Sequence, residues 1–327
     1  MIKWGIIGLG KMANTFANAI KEVDNACLVA IASKNNSKLE SFGTEFNLEK
    51  NLRFIDYESL AKCKDVDAVY ISTLNNTHAN LIALCASNKK NILCEKPFCV
   101  NFNEAENIKK IIEHNNVKFF EAIAYLSHPQ TNEIFDLINN NEIGEINFIK
   151  SHFGFKVKKV DPKSRLFNKK LGGGVILDVG CYPVSFISLF GKKDKHIKFN
   201  EIFVKHSNFD VDVVASASIT IDKKILCEIK ISLEEELENT SIIYGSHGHI
   251  VVKQPWLPGK KTFLEIFNKG SYYKKFISSE LSIYATQIEN ISNQYSHKNT
   301  KKTKLFDVYN SLENMKLLDQ WKNQKLN

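Results

Sequence analysis

Arginine is scarce in this 327-residue sequence, and paired cysteines are absent from it. Arg53 and Arg165 are the only arginines, and every other member of the 44 basic residues is a lysine. The formal net charge of +8 would suit nucleic-acid binding, but the lysines run along the whole chain. Their densest run, 298–304, lacks the interleaved aromatic residues of a single-strand binding surface. We therefore predict no nucleic-acid partner.

The seven cysteines contain no Cys-x-x-Cys pair, and an odd, scattered set makes a poor disulfide framework. Their spacing does not suit a zinc site, so we predict no metal and expect the cysteines to pack as small apolar side chains. The sequence shows neither an apolar run of about 18 residues nor a secretory leader, which predicts no membrane partner and a cytoplasmic location. The length suffices for two domains.

The first third of the chain alternates short β-rich runs with helical patterns. The β-rich runs are continuously apolar, which is typical of strands buried on both faces of a parallel sheet. This pattern predicts an α/β fold with a doubly wound parallel sheet. The predicted strands are 3–8, 27–33, 68–72, 91–94 and 118–121, and the predicted helices are 12–21, 37–46, 77–87 and 103–113.

Beyond about residue 146 the pattern changes to consecutive strands with few helices between them. Hairpin-like turns predict a second, α+β domain with a large and mostly antiparallel open sheet. We place the two domains at 1–124 and 125–304, followed by a last helix at 305–322. The predicted strands are 146–156, 197–206, 213–221, 225–233, 240–244 and 250–252, and the predicted helices are 176–189 and 282–294.

Gly8-x-Gly10-x-x-Ala13 follows the first apolar strand and opens a helix, which is the context of a dinucleotide-binding turn. Gly8 would make the tight turn, Gly10 would let the backbone approach a pyrophosphate, and Ala13 would keep the helix close to the sheet. The first helix amides, those of Lys11 and Met12 among them, would hold the pyrophosphate at the positive end of the helix dipole. The alternative is a strand–turn–helix corner without a ligand.

The second strand ends in Ser33-Lys34-Asn35-Asn36, with no acidic residue. An acid at this position would bind the adenosine ribose 2′-hydroxyl of NAD. Ser33 and Lys34 could instead hold a 2′-phosphate by hydrogen bond and charge. We therefore favour NADP over NAD, and both stay open because lysine is common throughout this chain.

Two further stretches carry reactive side chains. CEKPF, at 94–98, follows the fifth strand, so Lys96 is expected at the carboxyl edge of the sheet, where ligands bind. LGGGVILDVGCYPVSFI, at 171–187, offers a flexible glycine start and places Asp178 and Tyr182 four residues apart, on one helix face. A nearby ammonium would lower the phenol pKa from its unperturbed value of about 10 and suit Tyr182 to proton transfer. A surface lysine and two structural helix residues are the alternative.

These motifs resemble the glucose–fructose oxidoreductase, inositol dehydrogenase and rhizopine-catabolism family (Gfo/Idh/MocA) over nearly the whole chain. The family implies an N-terminal Rossmann domain, a C-terminal domain whose open sheet commonly forms an oligomer interface, and a last helix that packs back on the nucleotide domain. It implies reversible hydride transfer between a nicotinamide and a carbinol carbon of a sugar, polyol or related diol. The motifs are Gly8-x-Gly10-x-x-Ala13, Ser72-Thr73, Asn76-Thr77-His78, Glu95-Lys96-Pro97, Glu121-Ala122, His128-Pro129-Gln130 and Gly172-Gly173-Gly174 before Asp178-Val179-Gly180-x-Tyr182-Pro183.

The resemblance also implies roles for individual residues. Lys96 would hydrogen-bond the reacting hydroxyl, Tyr182 would be the general acid or base, and Asp178 would orient the substrate or Lys96. The nicotinamide side of the cofactor would be lined by Thr73, Asn76, His78 and Glu95.

Tyrosine at position 182, where many members have histidine, is similar to the dimeric dihydrodiol dehydrogenase and aldose (xylose) dehydrogenase branch, which usually prefers NADP. That branch often has arginine where Leu126 stands, so its substrate does not transfer directly to this chain. Tyr125, His128 and Arg165 are further substrate candidates. His128 can equally cap or pack a helix, and Arg165 can equally pair with a surface carboxylate.

The sequence thus predicts a homo-oligomeric, NADP- or NAD-dependent oxidoreductase of a sugar, polyol or cyclic diol. One alternative is a dehydrogenase that builds a modified sugar on a nucleotide or phosphate carrier, which would show as a basic pocket mouth. Another is an inactive nucleotide-binding regulator. Loss of Lys96 or Tyr182 would have indicated the regulator, and both residues are present.

Overall fold

The computed structural model describes residues 1–192, 194–296 and 304–324. The chain divides into two compact units, one formed by Met1–Ser127 with Glu280–Leu312 and the other by His128–Ser279 with the residues from Glu313 on. The chain therefore changes unit after 127, 279 and 312, where the sequence suggested 124 and 304. The predicted helix at 282–294 groups with the first unit, and the last helix contributes residues to both.

The first unit contains a six-stranded sheet with the order β3-β2-β1-β4-β5-β6. All neighbouring strands are parallel, which confirms the predicted doubly wound sheet. The short β3 was not predicted. The strands are β1 Ile2–Ile7, β2 Ala26–Ala32, β3 Arg53–Phe54, β4 Ala68–Ile71, β5 Asn91–Cys94 and β6 Phe119–Glu121.

The second unit contains an eight-stranded sheet with the order β14-β13-β12-β11-β7-β10-β9-β8. Only β7 and β10 pair in parallel, and the other neighbours are antiparallel, as predicted. The strands are β7 Ile146–Gly154, β8 Ile197–His206, β9 Asp212–Ile221, β10 Ile225–Ser232, β11 Ser241–Gly245, β12 Gly248–Val252, β13 Lys261–Asn268 and β14 Ser271–Ser278. The last two strands were not predicted.

Nine α-helices lie in the described part of the chain. The region predicted as one helix at 176–189 instead begins with a π-helical turn, Ile176–Gly180, and continues as a shorter α-helix. The α-helices are α1 Lys11–Ala19, α2 Asn36–Glu45, α3 Tyr57–Lys62, α4 His78–Ser87, α5 Phe102–Asn115, α6 Pro129–Asn139, α7 Cys181–Ile187, α8 Ile283–Tyr295 and α9 Val308–Lys322.

Helix α8 completes the core of the first unit although it lies more than 150 residues beyond the sheet in sequence. The Trp4 ring of β1 lies 5.3 Å from Phe16 and 5.6 Å from Tyr295, measured between ring centroids. The Tyr295 hydroxyl donates to the Ile92 carbonyl of β5 at 2.8 Å. Four α8 side chains belong to this apolar cluster, namely Ala285, Ile288, Ile291 and Tyr295.

The large sheet of the second unit has one face packed against α6 and α7 and one open face. On β14, Lys275 pairs with Glu133 of α6, whereas Tyr272 and Phe276 point to the open face and are 52% and 74% exposed. An aromatic row crosses five adjacent strands on that face, with successive ring centroids 4.3–5.4 Å apart. The aromatic row consists of Phe148, Tyr244, His249, Phe267 and Tyr272.

Candidate functional site

The turn between β1 and α1 has the shape that a pyrophosphate needs. Gly8 has φ +89°, and a Cβ there would lie 2.6 Å from the Thr73 side chain and 3.0 Å from the Ser72 carbonyl oxygen. A Cβ built on Gly10 would meet nothing within 4 Å, so space above this backbone is open. Within the described part of the chain, no side chain caps the N-terminus of α1. Its first amides, including those of exposed Lys11 and half-buried Met12, therefore suit an anionic ligand.

The loop after β2 carries the side chains predicted to select the cofactor. Ser33 is 6% exposed, and its hydroxyl accepts a hydrogen bond from the Asn35 amide at 3.1 Å. Lys34 is exposed, and its ammonium lies 5.4 Å from the centroid of the Tyr57 ring. Ser33, the exposed Lys34 and the nearby Tyr57 ring are suited to bind an adenosine ribose, and no carboxylate follows the strand.

The turn that carries Lys96 is held on both sides. Before it, the Tyr70 hydroxyl donates to the Glu95 carboxylate at 2.5 Å. After it, Nδ1 of His78 donates to the Pro97 carbonyl at 2.8 Å. The Glu121 carboxylate accepts from the Phe98 amide at 3.1 Å.

His78 and Glu95 were predicted to line the cofactor, and the structure gives both of them contacts that hold the Lys96 turn. The His78 ring is fully buried and also faces the Thr73 carbonyl at 3.3 Å. Burial lowers the pKa of His78, although its contacts with the Pro97 and Thr73 carbonyls oppose this shift. Burial raises the pKa of Tyr284 of α8; the Glu95 charge raises it further, and the Lys96 charge lowers it. Sequence reasoning missed Tyr284, which is remote along the chain.

Thr73 and Asn76 lie on the loop between β4 and α4, as predicted. The Thr73 hydroxyl is 2.7 Å from the Thr77 hydroxyl, and Asn76 is half-buried in the 3-10 turn Asn75–Thr77. The Ser72 hydroxyl donates to the Gly8 carbonyl at 2.8 Å, so this loop and the glycine turn meet at the carboxyl edge of the sheet.

Tyr125, predicted to contact substrate, is 1% exposed in the 3-10 turn Ala124–Ser127. Leu126 beside it is also 1% exposed, so both side chains are buried.

In the second unit, the triple glycine forms a fixed turn, which corrects the prediction of a flexible helix start. Gly174 has φ +115°, and a Cβ there would lie 2.2 Å from the Asp212 carboxylate. A Cβ on Gly173 would lie 2.8 Å from the Leu166 carbonyl oxygen. Asp212 accepts a hydrogen bond from the Ile176 amide at 2.6 Å and so caps the π-helical turn that carries Asp178. Asp212 was not singled out from the sequence.

Arg165 binds Asp178 directly. Its guanidinium donates to the Asp178 carboxylate at 2.6 Å, and the two side chains are 50% and 7% exposed respectively. Arg165 therefore pairs with a carboxylate, but with that of the buried Asp178 and not with a surface carboxylate. His128 likewise takes the capping alternative, because it is fully buried and its Nδ1 accepts from the Gln130 amide at the start of α6.

Tyr182 stands against aromatic rings. Its ring centroid lies 5.3 Å from Phe153 of β7 and 5.9 Å from Trp256, and Phe186 lies 5.7 Å from Trp256. We call Phe153, Trp256 and the Tyr182 ring the aromatic wall. Tyr182 itself is half-buried, which leaves part of the ring open to a ligand. No sequence pattern indicated Phe153 or Trp256, because Phe153 lies on β7 and Trp256 on the loop between β12 and β13, both outside the motif that carries Tyr182.

Two features of the described ranges bear on metals and membranes. No three His, Cys, Asp or Glu side chains among residues 1–192, 194–296 and 304–324 come together as metal ligands. One helical stretch there, Lys169–Ile187, is apolar and long enough to span a membrane by composition alone, and 83% of its most apolar portion is buried inside the protein. That burial is typical of a core helix.

Comparison with known families assigns the chain. The model of an oxidoreductase family with an NAD-binding Rossmann fold matches residues 2–123, and that family's C-terminal domain model matches 131–251. The chain belongs to the Gfo/Idh/MocA oxidoreductase family. This confirms the resemblance drawn from the motifs, and the glycine turn accordingly lies in an NAD(P)-binding domain.

Relatives of this Gfo/Idh/MocA protein include trans-1,2-dihydrobenzene-1,2-diol dehydrogenases. That of Xenopus tropicalis is 31% identical over 78% of this chain and 77% of its own, and that of Mus musculus is 27% identical over 79% and 76%. The same fold occurs in an aldose-aldose oxidoreductase from Caulobacter crescentus complexed with glycerol (TM-score 0.88, 17% identity, 99% and 98% coverage). It also occurs in a 3-ketoreductase from Actinomadura kijaniata crystallised with NADP and TDP-benzene (TM-score 0.87, 23% identity, 98% and 97% coverage).

Proposed function

We propose that this oxidoreductase transfers a hydride between the nicotinamide of NADP and a carbinol or carbonyl carbon of a cyclic diol, polyol or sugar. The observation that carries the proposal is Tyr182 on the aromatic wall, four residues after a carboxylate fixed by Arg165. Apolar rings beside a proton-transferring phenol suit a substrate with a carbon ring and adjacent hydroxyls. The dihydrodiol dehydrogenases among the relatives support the diol.

The residues divide the chemistry in this proposal. The bound nicotinamide supplies the hydride acceptor in one direction and the hydride donor in the other. Lys96 donates a hydrogen bond to the reacting oxygen, and Tyr182 takes the hydroxyl proton during oxidation and returns it during reduction. Asp178, oriented by Arg165, accepts a hydrogen bond from a second substrate hydroxyl.

NADP is our proposed cofactor because Ser33 and the exposed Lys34 follow β2 and no acid does. Both side chains would bind a 2′-phosphate. Neither would accept a hydrogen bond from the 2′-hydroxyl of NAD as strongly as a carboxylate does. We also propose a cytoplasmic location. All seven cysteines are free thiols, which supports this proposal because disulfides are rare in the cytosol.

A substrate on a phosphate or nucleotide carrier is a second candidate. Segment 156–170 contacts Asp178 through Arg165. It is largely exposed and basic, and Asp161 is its one acidic residue. Glutamates lie near its beginning, where the Lys156 amide approaches Glu236 at 3.4 Å, and they offset part of this charge. Its basic residues are Lys156, Lys158, Lys159, Lys163, Arg165, Lys169 and Lys170.

We further propose a homo-oligomer joined through the open face of the eight-stranded sheet. The aromatic row and the exposed Phe276 give this face an apolar centre. Lys253 pairs with Glu265 at 3.0 Å, so these two charges neutralise each other within the chain.

Steady-state kinetics on a panel of cyclic diols, sugars and sugar phosphates tests the proposed function, with NADPH and NADH titrations followed by fluorescence. We expect Lys96→Ala and Tyr182→Phe each to lower kcat by about 100-fold or more, the usual contribution of a proton-transfer group. Both should bind NADPH within about 3-fold of the parent, since uniform cofactor binding is separable from the chemical step.

Matched controls for this experiment are Lys64→Ala and Tyr309→Phe, which change exposed residues away from the turn and the aromatic wall. They should keep parental turnover. Parental turnover in the Lys96 and Tyr182 variants would refute the mechanism, and tighter binding of NADH than NADPH would refute the cofactor assignment. A strong preference for sugar phosphates would favour the second candidate.

A further inference from the structure

One buried side-chain amide holds both ends of the loop that carries Trp256. This loop, residues 253–260, joins β12 to β13. Gln130 is 2% exposed near the start of α6. Its Nε2 donates to the Gln254 carbonyl at 3.1 Å, and its Oε1 accepts from the Thr262 hydroxyl at 3.0 Å. The two bonds lie on either side of Trp256.

Gln130 is itself held in place by its neighbours in sequence. His128 caps α6, and its Nδ1 accepts from the Gln130 amide at 3.1 Å. Pro129 occupies the first helical position, where its fixed φ suits the helix and its missing N–H costs nothing. The His-Pro-Gln motif therefore holds the Gln130 side chain at a defined position. This is a structural role for the motif that the sequence alone did not indicate.

The loop sets where Trp256 stands. Trp256 is 2% exposed, and its indole N–H donates to the His152 carbonyl at 3.4 Å. Its ring lies 5.9 Å from both Phe153 and Tyr182. A shift of the loop would therefore move the ring that packs beside the phenol.

We propose that Gln130 is a positioning residue for substrate specificity: by pinning loop 253–260, it fixes Trp256 against Tyr182 and so sets where the exposed part of the Tyr182 ring meets a substrate ring. This rests on the proposed function, in which the half-buried Tyr182 ring of the aromatic wall contacts the substrate. Glutamine is suited to the task because one planar group supplies both a donor and an acceptor. Methionine of similar length supplies neither, and an ionised glutamate supplies no donor.

The test compares Gln130→Met, Gln130→Glu, Trp256→Leu and the double variant Gln130→Met/Trp256→Leu in steady-state kinetics with the best cyclic diol. We expect Gln130→Met to raise KM by about 10-fold and to change kcat by less than about 3-fold, since a displaced wall weakens binding before it disturbs the phenol. Gln130→Glu, which puts a buried carboxylate against the Gln254 carbonyl, should raise KM at least as much. The double variant should be no worse than Trp256→Leu alone, because both changes act through one ring.

A spectroscopic readout separates positioning from general destabilisation. Protein labelled with 5-fluorotryptophan has three ¹⁹F resonances, for Trp4, Trp256 and Trp321, and Trp256→Leu assigns the one from the loop. Gln130→Met should move only that resonance. Gln287→Met, which changes a buried glutamine of α8, is the matched control and should leave both KM and the Trp256 resonance unchanged. If Gln130→Met does not fold, Thr262→Val removes one of the two bonds and should raise KM by about 3-fold.

The outcomes distinguish this inference from the function beneath it. If Tyr182→Phe and Trp256→Leu both leave turnover unchanged, the proposed function fails and takes the inference with it. If they impair turnover while Gln130→Met keeps the parental KM and Trp256 resonance, only the role of Gln130 is overturned. Additive effects in the double variant would also overturn it.

Discussion

At the scale of one residue, Glu121 makes the stability of the Lys96 turn depend on pH. Burial raises the pKa of its carboxyl to about 7, although the Phe98 amide and the Lys96 ammonium lower it. In an unfolded chain a glutamate titrates near about 4.3. Between these values the folded protein keeps a proton that the unfolded chain has lost, so this group's contribution to stability is full at low pH and disappears as pH rises to about 7.

Glu121→Gln should remove that dependence, because an amide keeps an acceptor for Phe98 and cannot ionise. We expect parent and variant to have similar melting temperatures at pH 5, and the variant to be more stable at pH 8.5 by up to about 3 kcal/mol. Thermal unfolding at both pH values measures the difference. Glu113→Gln, which changes an exposed glutamate, is the control. A gap between parent and variant that is equal at pH 5 and 8.5 would contradict the raised pKa.

At the scale of elements, the sequence predicted what local pattern controls. Continuously apolar strands such as β1 and β5 were located to within about two residues, because strands buried on both faces consist of continuous apolar residues. The two-residue β3 is too short to show a pattern. Strands β13 and β14 were missed because exposed aromatic and lysine side chains on β14 hide the alternation.

The candidate site divides in the same way. Lys96, Asp178 and Tyr182 could be proposed from the sequence because each lies in a short motif whose meaning is local. Gln130 was seen only as part of a motif, and its partners Gln254 and Thr262 lie more than 120 residues away. Contacts of that kind depend on how the strands are ordered in the sheet, which no local pattern contains.

The glycine turn before the π-helical segment gives a prediction at this scale. Gly174→Ala should be strongly destabilising, by about 3 kcal/mol or more, because a positive φ and a clash with Asp212 act together. Gly270→Ala is the matched control, since Gly270 has φ +84° and open space around it. It should cost only about 1 kcal/mol, from backbone strain alone.

Thermal unfolding and turnover of both glycine variants check this prediction. Gly174→Ala should also lower kcat, because the turn positions Asp178 and Tyr182, whereas Gly270→Ala should not. Equal losses of melting temperature would mean that the contact with Asp212 has no energetic weight.

At the scale of the whole molecule, the open sheet face should decide the oligomeric state. Light scattering after size exclusion should give a mass that is a multiple of 37.3 kDa. Tyr272→Asp/Phe276→Asp places two charges on the aromatic face and should shift the protein to the 37.3 kDa species, because desolvating unpaired carboxylates is costly. Tyr309→Asp, on exposed α9, should not. A parent protein that already runs as a monomer would refute the proposed interface.

The contribution of α8 to the first unit bears on how the chain is made. Trp4 and its neighbours cannot complete their core until Ile288, Ile291 and Tyr295 have been synthesised. At about 5–20 residues per second, a ribosome needs roughly 10–30 s to travel from the end of the parallel sheet to α8. During that interval the nascent first unit exposes an apolar groove where the helix will lie. Efficient production therefore depends on keeping this half-built intermediate from aggregating until its last helix emerges.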